Sequence, residues 1–182
     1  MSKVQALPPV TLVLGGAASG KSRYAESLVE QAASARVYLA TAEARDAEMV
    51  ERIRRHRARR GAAWRTVEAP LELVPALRGH AEPGAAVLVD CLTLWLSNLL
   101  GAGRDADKEA DALVAALAEL RGPVVFVSNE VGLGIVPDNA LARRFRDTAG
   151  RLHASLAGAA QAVAFVAAGL PLHLKTPATS GT

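Results

Sequence analysis

Cysteine is almost absent from this chain. Cys91 stands alone among 182 residues. A single thiol provides neither a disulfide framework nor a cysteine metal cluster, and it suits a reducing cytoplasm. Aromatic residues are scarce too, at 4%, so a core has to be built from Ala, Val and Leu. No apolar run approaches the roughly 20 residues that span a bilayer, and residues 1–10 show no signal-peptide pattern, so no membrane span is expected. No repeat and no linker divides the sequence. Residues 1–182 therefore read as one domain, with 1–8 and 176–182 as flexible ends. A strong charge of one sign is also missing. The formal net charge is +3, which fits an anionic ligand but does not by itself argue for nucleic acid.

About half of the residues are apolar (51%), and they are patterned. Apolar runs alternate with longer stretches of helical spacing. VTLVLG (10–15), RVYLAT (36–41), WRTVEA (64–69), AAVLVD (85–90), PVVFVS (123–128), AVAFVA (162–167) and LHLK (172–175) read as strands. Helices are expected over 21–33, with Tyr24, Leu28 and Gln31 spaced along it, and over 46–60, with Asp46 as N-cap. Further helices are expected from Pro70 to about Leu77, over 92–100, over 105–120 with Leu113, Leu117 and Leu120 on one face, and over most of 138–161. Strands alternating with helices imply an α/β fold, a mostly parallel central sheet with helices on both faces. In such sheets ligands bind at the carboxyl ends of the strands. Those ends carry the glycines after Leu14, Thr41, Glu68, Asp90, and the run Ser128, Asn129, Glu130.

The sharpest motif is GGAASGKS, residues 15–22. It matches G-x-x-x-x-G-K-[ST] between an apolar strand and a helix, the context that a nucleotide phosphate loop requires. The backbone of Gly15, Gly16, Ala17, Ala18, Ser19 and Gly20 would turn N–H groups toward phosphate oxygens. The helix that begins near Lys21 adds its positive end. Lys21 would pair with the β/γ-phosphates, and the Ser22 hydroxyl would ligate Mg2+. Asp90, closing AAVLVD, fits the carboxylate that holds Mg2+ directly or through water. Its bland alternative is a turn or capping aspartate. Cys91 reads as small core filler.

RIRRHRARR, residues 52–60, sets His56 among six arginines. On a helix Met49, Ile53, His56 and Arg60 share a face bordered by Arg52. Cationic neighbours lower a histidine's pKa and favour the neutral, nucleophilic imidazole. The same arginines would draw a triphosphate and stabilise charge building on its oxygens. From the residues alone three readings stay open: a solvated arginine face, a nucleic-acid contact, and a reactive histidine.

The order and spacing of four stretches narrow this. GGAASGKSRYAE, YLATAEARDAEMVERIRRHRARRGAAWRTVEAP, VLVDCLTLWLSNLL and VSNEVGLGIVPDNALARRFRDTAGRLH together resemble the bifunctional adenosylcobinamide kinase/adenosylcobinamide-phosphate guanylyltransferase family, over about residues 11–175. The resemblance implies a P-loop NTPase fold of RecA-like type and two reactions of cobalamin biosynthesis. ATP or GTP phosphorylates adenosylcobinamide. GTP then gives GMP to the product through a guanylyl-histidine, yielding adenosyl-GDP-cobinamide. It places the reactive histidine at His56, and nucleotide contacts at Ala40, Thr41, Ala42, Arg57, Ala58, Arg59, Arg60 and Glu68. Glu130 would position the cobinamide hydroxyl or a metal-bound water. Glu68 as a surface strand residue and Glu130 as a turn carboxylate remain equal alternatives. The resemblance further implies Mg2+, GTP and ATP, a corrinoid substrate rather than nucleic acid, and a homotrimer in the cytoplasm. Two positions depart from the family pattern. Ala18 stands where many members carry arginine in the loop, and Arg55 stands where some carry a second histidine.

Overall fold

The computed structural model describes residues 6–43, 50, 51, 54, 58 and 60–177. Among the described residues seven strands form one sheet: β1 Val10–Gly15, β2 Ala35–Ala40, β3 Trp64–Glu68, β4 Ala85–Asp90, β5 Val124–Asn129, β6 Ala162–Ala167 and β7 Leu170–Lys175. Their order is β3-β2-β4-β5-β1-β6-β7. The first six pair in parallel, and β7 runs antiparallel to β6. The mostly parallel α/β arrangement is the one the sequence pattern predicts. Unbroken apolar runs such as AAVLVD and VVFVS suit it because a parallel strand is covered on both faces.

Five helices are described: α1 Lys21–Ala32, α2 Leu73–His80, α3 Leu92–Gly101, α4 Ala106–Ala116 and α5 Ala140–Ala159. A 3-10 turn, Leu117–Glu119, extends α4. Alternation along each strand divides the core in two. Leu12, Leu14, Val37, Leu39, Val87, Val89, Val124 and Phe126 face α2, α3, α4 and α5, against Leu77, Trp95, Leu113 and Leu152. The intervening Val13, Tyr38, Leu88, Val125 and Val127 face Ala25 and Val29 of α1, with Trp64. Side-chain caps start two of these helices. Asp105 accepts from the Lys108 N–H and Asn139 from the Ala142 N–H, satisfying amides that a helix start leaves without partners.

One sequence expectation is corrected. Helix α2 begins at Leu73, not at Pro70. The Pro70 carbonyl accepts from the Asn98 amide and the Leu71 carbonyl from the Trp95 indole, at 3.1 and 2.9 Å. Long-range partners thus hold residues 70 and 71 outside the helix. In α1 the buried face is Lys21, Ala25, Glu26 and Val29, and Tyr24 and Leu28 pack half-buried beside it. Two charged side chains face inward there. Within the arginine-rich stretch Val50, Glu51, Arg54, Ala58 and Arg60 are helical. Met49, Ile53 and the Asp46 cap lie outside the described residues.

Candidate active site

Parallel pairing brings the carboxyl ends of five strands to one edge of the sheet. Ala40 stands in register with both Asp90 and Glu68, and Gly15 with Asn129. Strand β5 lies between the strand ending in Asp90 and the strand that opens into the phosphate loop. The sequence candidates on β1, β2, β3 and β4 therefore share one rim. Glu130 joins them through its backbone, whose N–H donates to the Gly15 carbonyl at 3.0 Å. Its carboxylate accepts the Gly132 N–H. Glu68 is exposed on the edge strand, the outermost of the group.

The phosphate loop is tightly fixed. A Cβ on Gly15 would lie 2.5 Å from the Val166 carbonyl oxygen and 2.6 Å from Ser19 Oγ, so only glycine fits there. Gly20 has φ +93°, the left-handed region that favours glycine. Ala18 also lies at positive φ, 55°, with its side chain exposed. The absence of a loop arginine at that position leaves the backbone cradle formed. Helix α1 has no side-chain cap at Gly20 and no acidic residue in its first turn. Its leading N–H groups and positive end are thus left for an anion. Lys21 is 7% exposed and its Nζ donates to the Gly16 carbonyl at 3.0 Å, closing the loop on itself. Ser19 Oγ is buried and has no hydrogen-bond partner among the described residues.

Asp90 is half-buried at the end of β4. Its Oδ2 accepts the Tyr38 phenol at 2.7 Å. Burial, and then the neighbouring Asp90 charge, push the Tyr38 pKa well above its ordinary value, so the phenol keeps its proton and donates. A hydrogen bond to a charged group of this kind contributes about 2 kcal/mol. Mg2+ fits the donors present. A carboxylate and the Ser22 hydroxyl are hard oxygen ligands, and magnesium is ordinarily held by one or two such groups together with substrate phosphates. The described residues contain no cluster of three His, Cys, Asp or Glu side chains that would hold a metal by protein alone.

The ring of Tyr38 carries a second charged group. The Arg60 guanidinium lies 3.3 Å from the ring centroid, and its Nη1 is 3.9 Å from Glu26 Oε1 on α1. Arg60 and Glu26 are 8% and 5% exposed. Arg60 Nε and Nη1 have no hydrogen-bond partner among the described residues. A desolvated cation over an aromatic ring is worth about 2 kcal/mol. Removing one member of a buried charge pair costs about 3–5 kcal/mol, because the other charge stays buried. Of the remaining sequence candidates in this stretch, Ala58 is exposed, while His56, Arg57 and Arg59 lie outside the described residues.

A polar brace ties the rim together from below. The Cys91 N–H donates to Thr41 Oγ1, and the Thr41 hydroxyl donates to the Cys91 carbonyl, each at 2.8 Å. The Thr41 N–H reaches the Asp90 carbonyl at 3.2 Å. The Asn98 amide donates to the Thr41 and Pro70 carbonyls at 2.8 and 3.1 Å. Beside it Asn129 donates to Thr93 Oγ1 at 2.9 Å. Burial, then the Asp90 charge, push the Cys91 thiol up, which accords with a packed and unreactive cysteine. Sequence reasoning missed Tyr38, Asn98, Thr93 and Glu26. The one available signal was their polarity inside segments otherwise patterned for burial.

A family model described as cobinamide kinase / cobinamide phosphate guanyltransferase matches residues 11–174. The bifunctional adenosylcobalamin biosynthesis protein CobP of Pseudomonas aeruginosa is 53% identical over 166 residues, 90% of this chain and 96% of that protein. The bifunctional adenosylcobalamin biosynthesis protein CobU of Escherichia coli is 41% identical over 90% of this chain and 98% of its own length. Among solved structures, the flagellar accessory protein FlaH from Methanocaldococcus jannaschii is similar with a TM-score of 0.55 and 12% identity, over 97% of this chain and 83% of that one. A prototypical ATPase of a type III secretion system gives 0.51 and 12%, over 90% and 56%. At such identity these likenesses speak for the fold alone, a P-loop NTPase of RecA-like type. Matched along nearly its whole length by its sequence relatives, this chain belongs to the cobinamide kinase / cobinamide phosphate guanyltransferase family.

Proposed function

We propose that this chain carries out both steps on a corrinoid. It phosphorylates the aminopropanol hydroxyl of adenosylcobinamide from ATP or GTP, and it then attaches GMP from GTP through a covalent intermediate on His56. The observation that carries the reading is the buried Lys21, closed over a glycine-lined cradle at the uncapped start of α1, on the same sheet edge as Asp90.

In the first step the alcohol oxygen attacks the γ-phosphorus, loses its proton, and displaces the nucleoside diphosphate. The work for the protein is positioning and charge neutralisation. The N–H groups of residues 15–20 and the Lys21 ammonium hold the phosphates. Ser22 and Asp90 would hold Mg2+, which when bound neutralises phosphate charge. Glu130, whose backbone N–H donates to the Gly15 carbonyl, would orient the incoming hydroxyl. In the second step a neutral His56 nitrogen bonds to the α-phosphorus of GTP and pyrophosphate leaves. A phosphate oxygen of cobinamide phosphate then attacks the same phosphorus, the P–N bond breaks, and adenosyl-GDP-cobinamide forms. Dividing the transfer in two replaces one difficult displacement by two easier ones. Arg57, Arg59 and Arg60, with Ala40, Thr41, Ala42, Ala58 and Glu68, would form the guanine-nucleotide side of the site.

A homotrimer belongs to the same reading. Exposed Leu133, Ile135, Val136 and Leu141 after β5, and Leu170, Leu172 and Leu174 on β7, offer apolar surface that supports association. A cytoplasmic location is supported by the triphosphate substrates and the lone buried thiol.

The test uses GTP labelled at the α-phosphate with protein and Mg2+, followed by denaturation. Label on the chain that is lost in acid, stable in alkali and absent from His56→Ala is the expected result. No label from GTP that demonstrably binds would leave a kinase without the transferase.

A further inference from the structure

Tyr38 opens one of the stretches that carry the family resemblance, but the sequence assigns it no role of its own. It is buried on β2 and makes three directed contacts. Its hydroxyl donates to Asp90 Oδ2 at 2.7 Å. One ring face lies under the Arg60 guanidinium at 3.3 Å. Its ring meets Trp64 edge-on, with centroids 6.3 Å apart and planes at 85°. Arg60 closes the arginine-rich stretch that carries His56. Its guanidinium also faces Glu26 of α1, the helix opened by the phosphate loop. One side chain thus touches both the carboxylate suited to Mg2+ and the residue that ends the histidine stretch.

The two contacts use different parts of the residue. The hydroxyl fixes one carboxylate oxygen of Asp90 and limits rotation of that group, so the other oxygen has a defined direction. The ring supplies a flat, desolvated face to a cation that has few other partners. We propose that Tyr38 is a positioning residue shared by both chemical steps: its hydroxyl orients Asp90 for the metal–nucleotide complex, and its ring seats Arg60 and, through it, the stretch bearing His56. The proposal rests on the functional reading above.

Two substitutions separate the halves. Tyr38→Phe keeps the ring and removes the hydroxyl. Tyr38→Leu removes both. The first readout is equilibrium binding of a fluorescent GTP analogue as Mg2+ is titrated. The second is the rate at which α-labelled GTP modifies the chain at saturating Mg2+. Tyr38→Phe is expected to raise the Mg2+ midpoint about tenfold, the scale of one hydrogen bond to a charged group. At saturating Mg2+ it should label at the natural rate. Tyr38→Leu is expected to show the same midpoint shift and, in addition, labelling slowed about tenfold or more, the scale of a lost cation–ring contact.

Should Tyr38→Leu fail to fold by circular dichroism, Tyr38→Met, which keeps more of the buried volume without the ring, tests the ring half. The same midpoint shift with slower labelling is then expected. A natural Mg2+ midpoint in Tyr38→Phe would overturn the hydroxyl half. Natural labelling in Tyr38→Leu, or in Tyr38→Met, would overturn the ring half. A natural chain that takes no label would instead sink the reading of His56, and the ring half with it. The Mg2+ titration would still decide the hydroxyl half.

Discussion

His153 Nε2 lies 2.7 Å from Ser128 Oγ, and both side chains are buried between α5 and the end of β5. Burial lowers the His153 pKa from its ordinary 6.5, against the opposing pull of Glu130. The unfolded chain therefore takes up this proton at higher pH than the folded one. Between the two values the unfolded state binds more protons, so acid favours unfolding. The stability is fully present above about pH 6.5 and is lost as pH falls toward the lowered value. Thermal midpoints measured from about pH 8 to about pH 5 should drop less steeply for His153→Gln than for the natural chain. Parallel slopes would contradict the assignment.

Lys21→Ala should lose at least about a hundredfold in both phosphoryl and guanylyl transfer, the scale of removing one preorganised charge-stabilising group. Both reactions use the same cradle. Circular dichroism should be unchanged. A variant that kept one activity would show that the two steps use different phosphate sites.

His56→Ala should lose guanylylation and keep phosphorylation of adenosylcobinamide, because the kinase step makes no bond to histidine. Loss of both, with the fold intact, would contradict that separation.

Gly15 and Gly16 are adjacent but should behave differently. Gly15→Ala forces a methyl against the backbone oxygen of Val166, which β6 holds in register with Gly15. A cost of about 1–3 kcal/mol is expected from urea unfolding. A Cβ on Gly16 meets nothing within 4 Å, so Gly16→Ala should shift stability by less than about 0.5 kcal/mol. Equal costs would mean that the loop relaxes.

Asn98→Ala removes the amide shared by the Thr41 and Pro70 carbonyls. Leaving buried carbonyls without that donor should cost about 2 kcal/mol, read as a lower urea midpoint at unchanged slope. A neutral result would show that water or another group replaces the amide.

Much of the frame was legible because burial on both faces leaves an unbroken apolar run. AAVLVD and AVAFVA have the same limits in the sequence reading and in the fold. The phosphate loop was legible because glycine spacing and the flanking strand and helix are all local. The start of α2 was not, since side chains of Trp95 and Asn98, far along the chain, hold residues 70 and 71 out of it. The inward face of α1 was not legible because hydrophobic spacing counts lysine and glutamate as outward. Here Lys21 turns in to the loop and Glu26 turns in to Arg60. Tyr38 escaped notice for a related reason: a tyrosine in a buried strand looks like core until its hydroxyl is seen to meet a carboxylate.

The last hairpin has a bearing on chemistry that its position hides. Ala168 and Gly169, both at positive φ, turn β6 into β7, as a two-residue hairpin turn requires. The Gly169 N–H donates to the Ser19 carbonyl at 2.8 Å, and a Cβ on Gly20 would lie 3.1 Å from Gly169 Cα. The turn acts as a doorstop behind the phosphate cradle. The proposed phosphate cradle is thus braced, at Ser19 and Gly20, by the turn that joins the last two strands, so a motif written within eight residues leans on chain far beyond it.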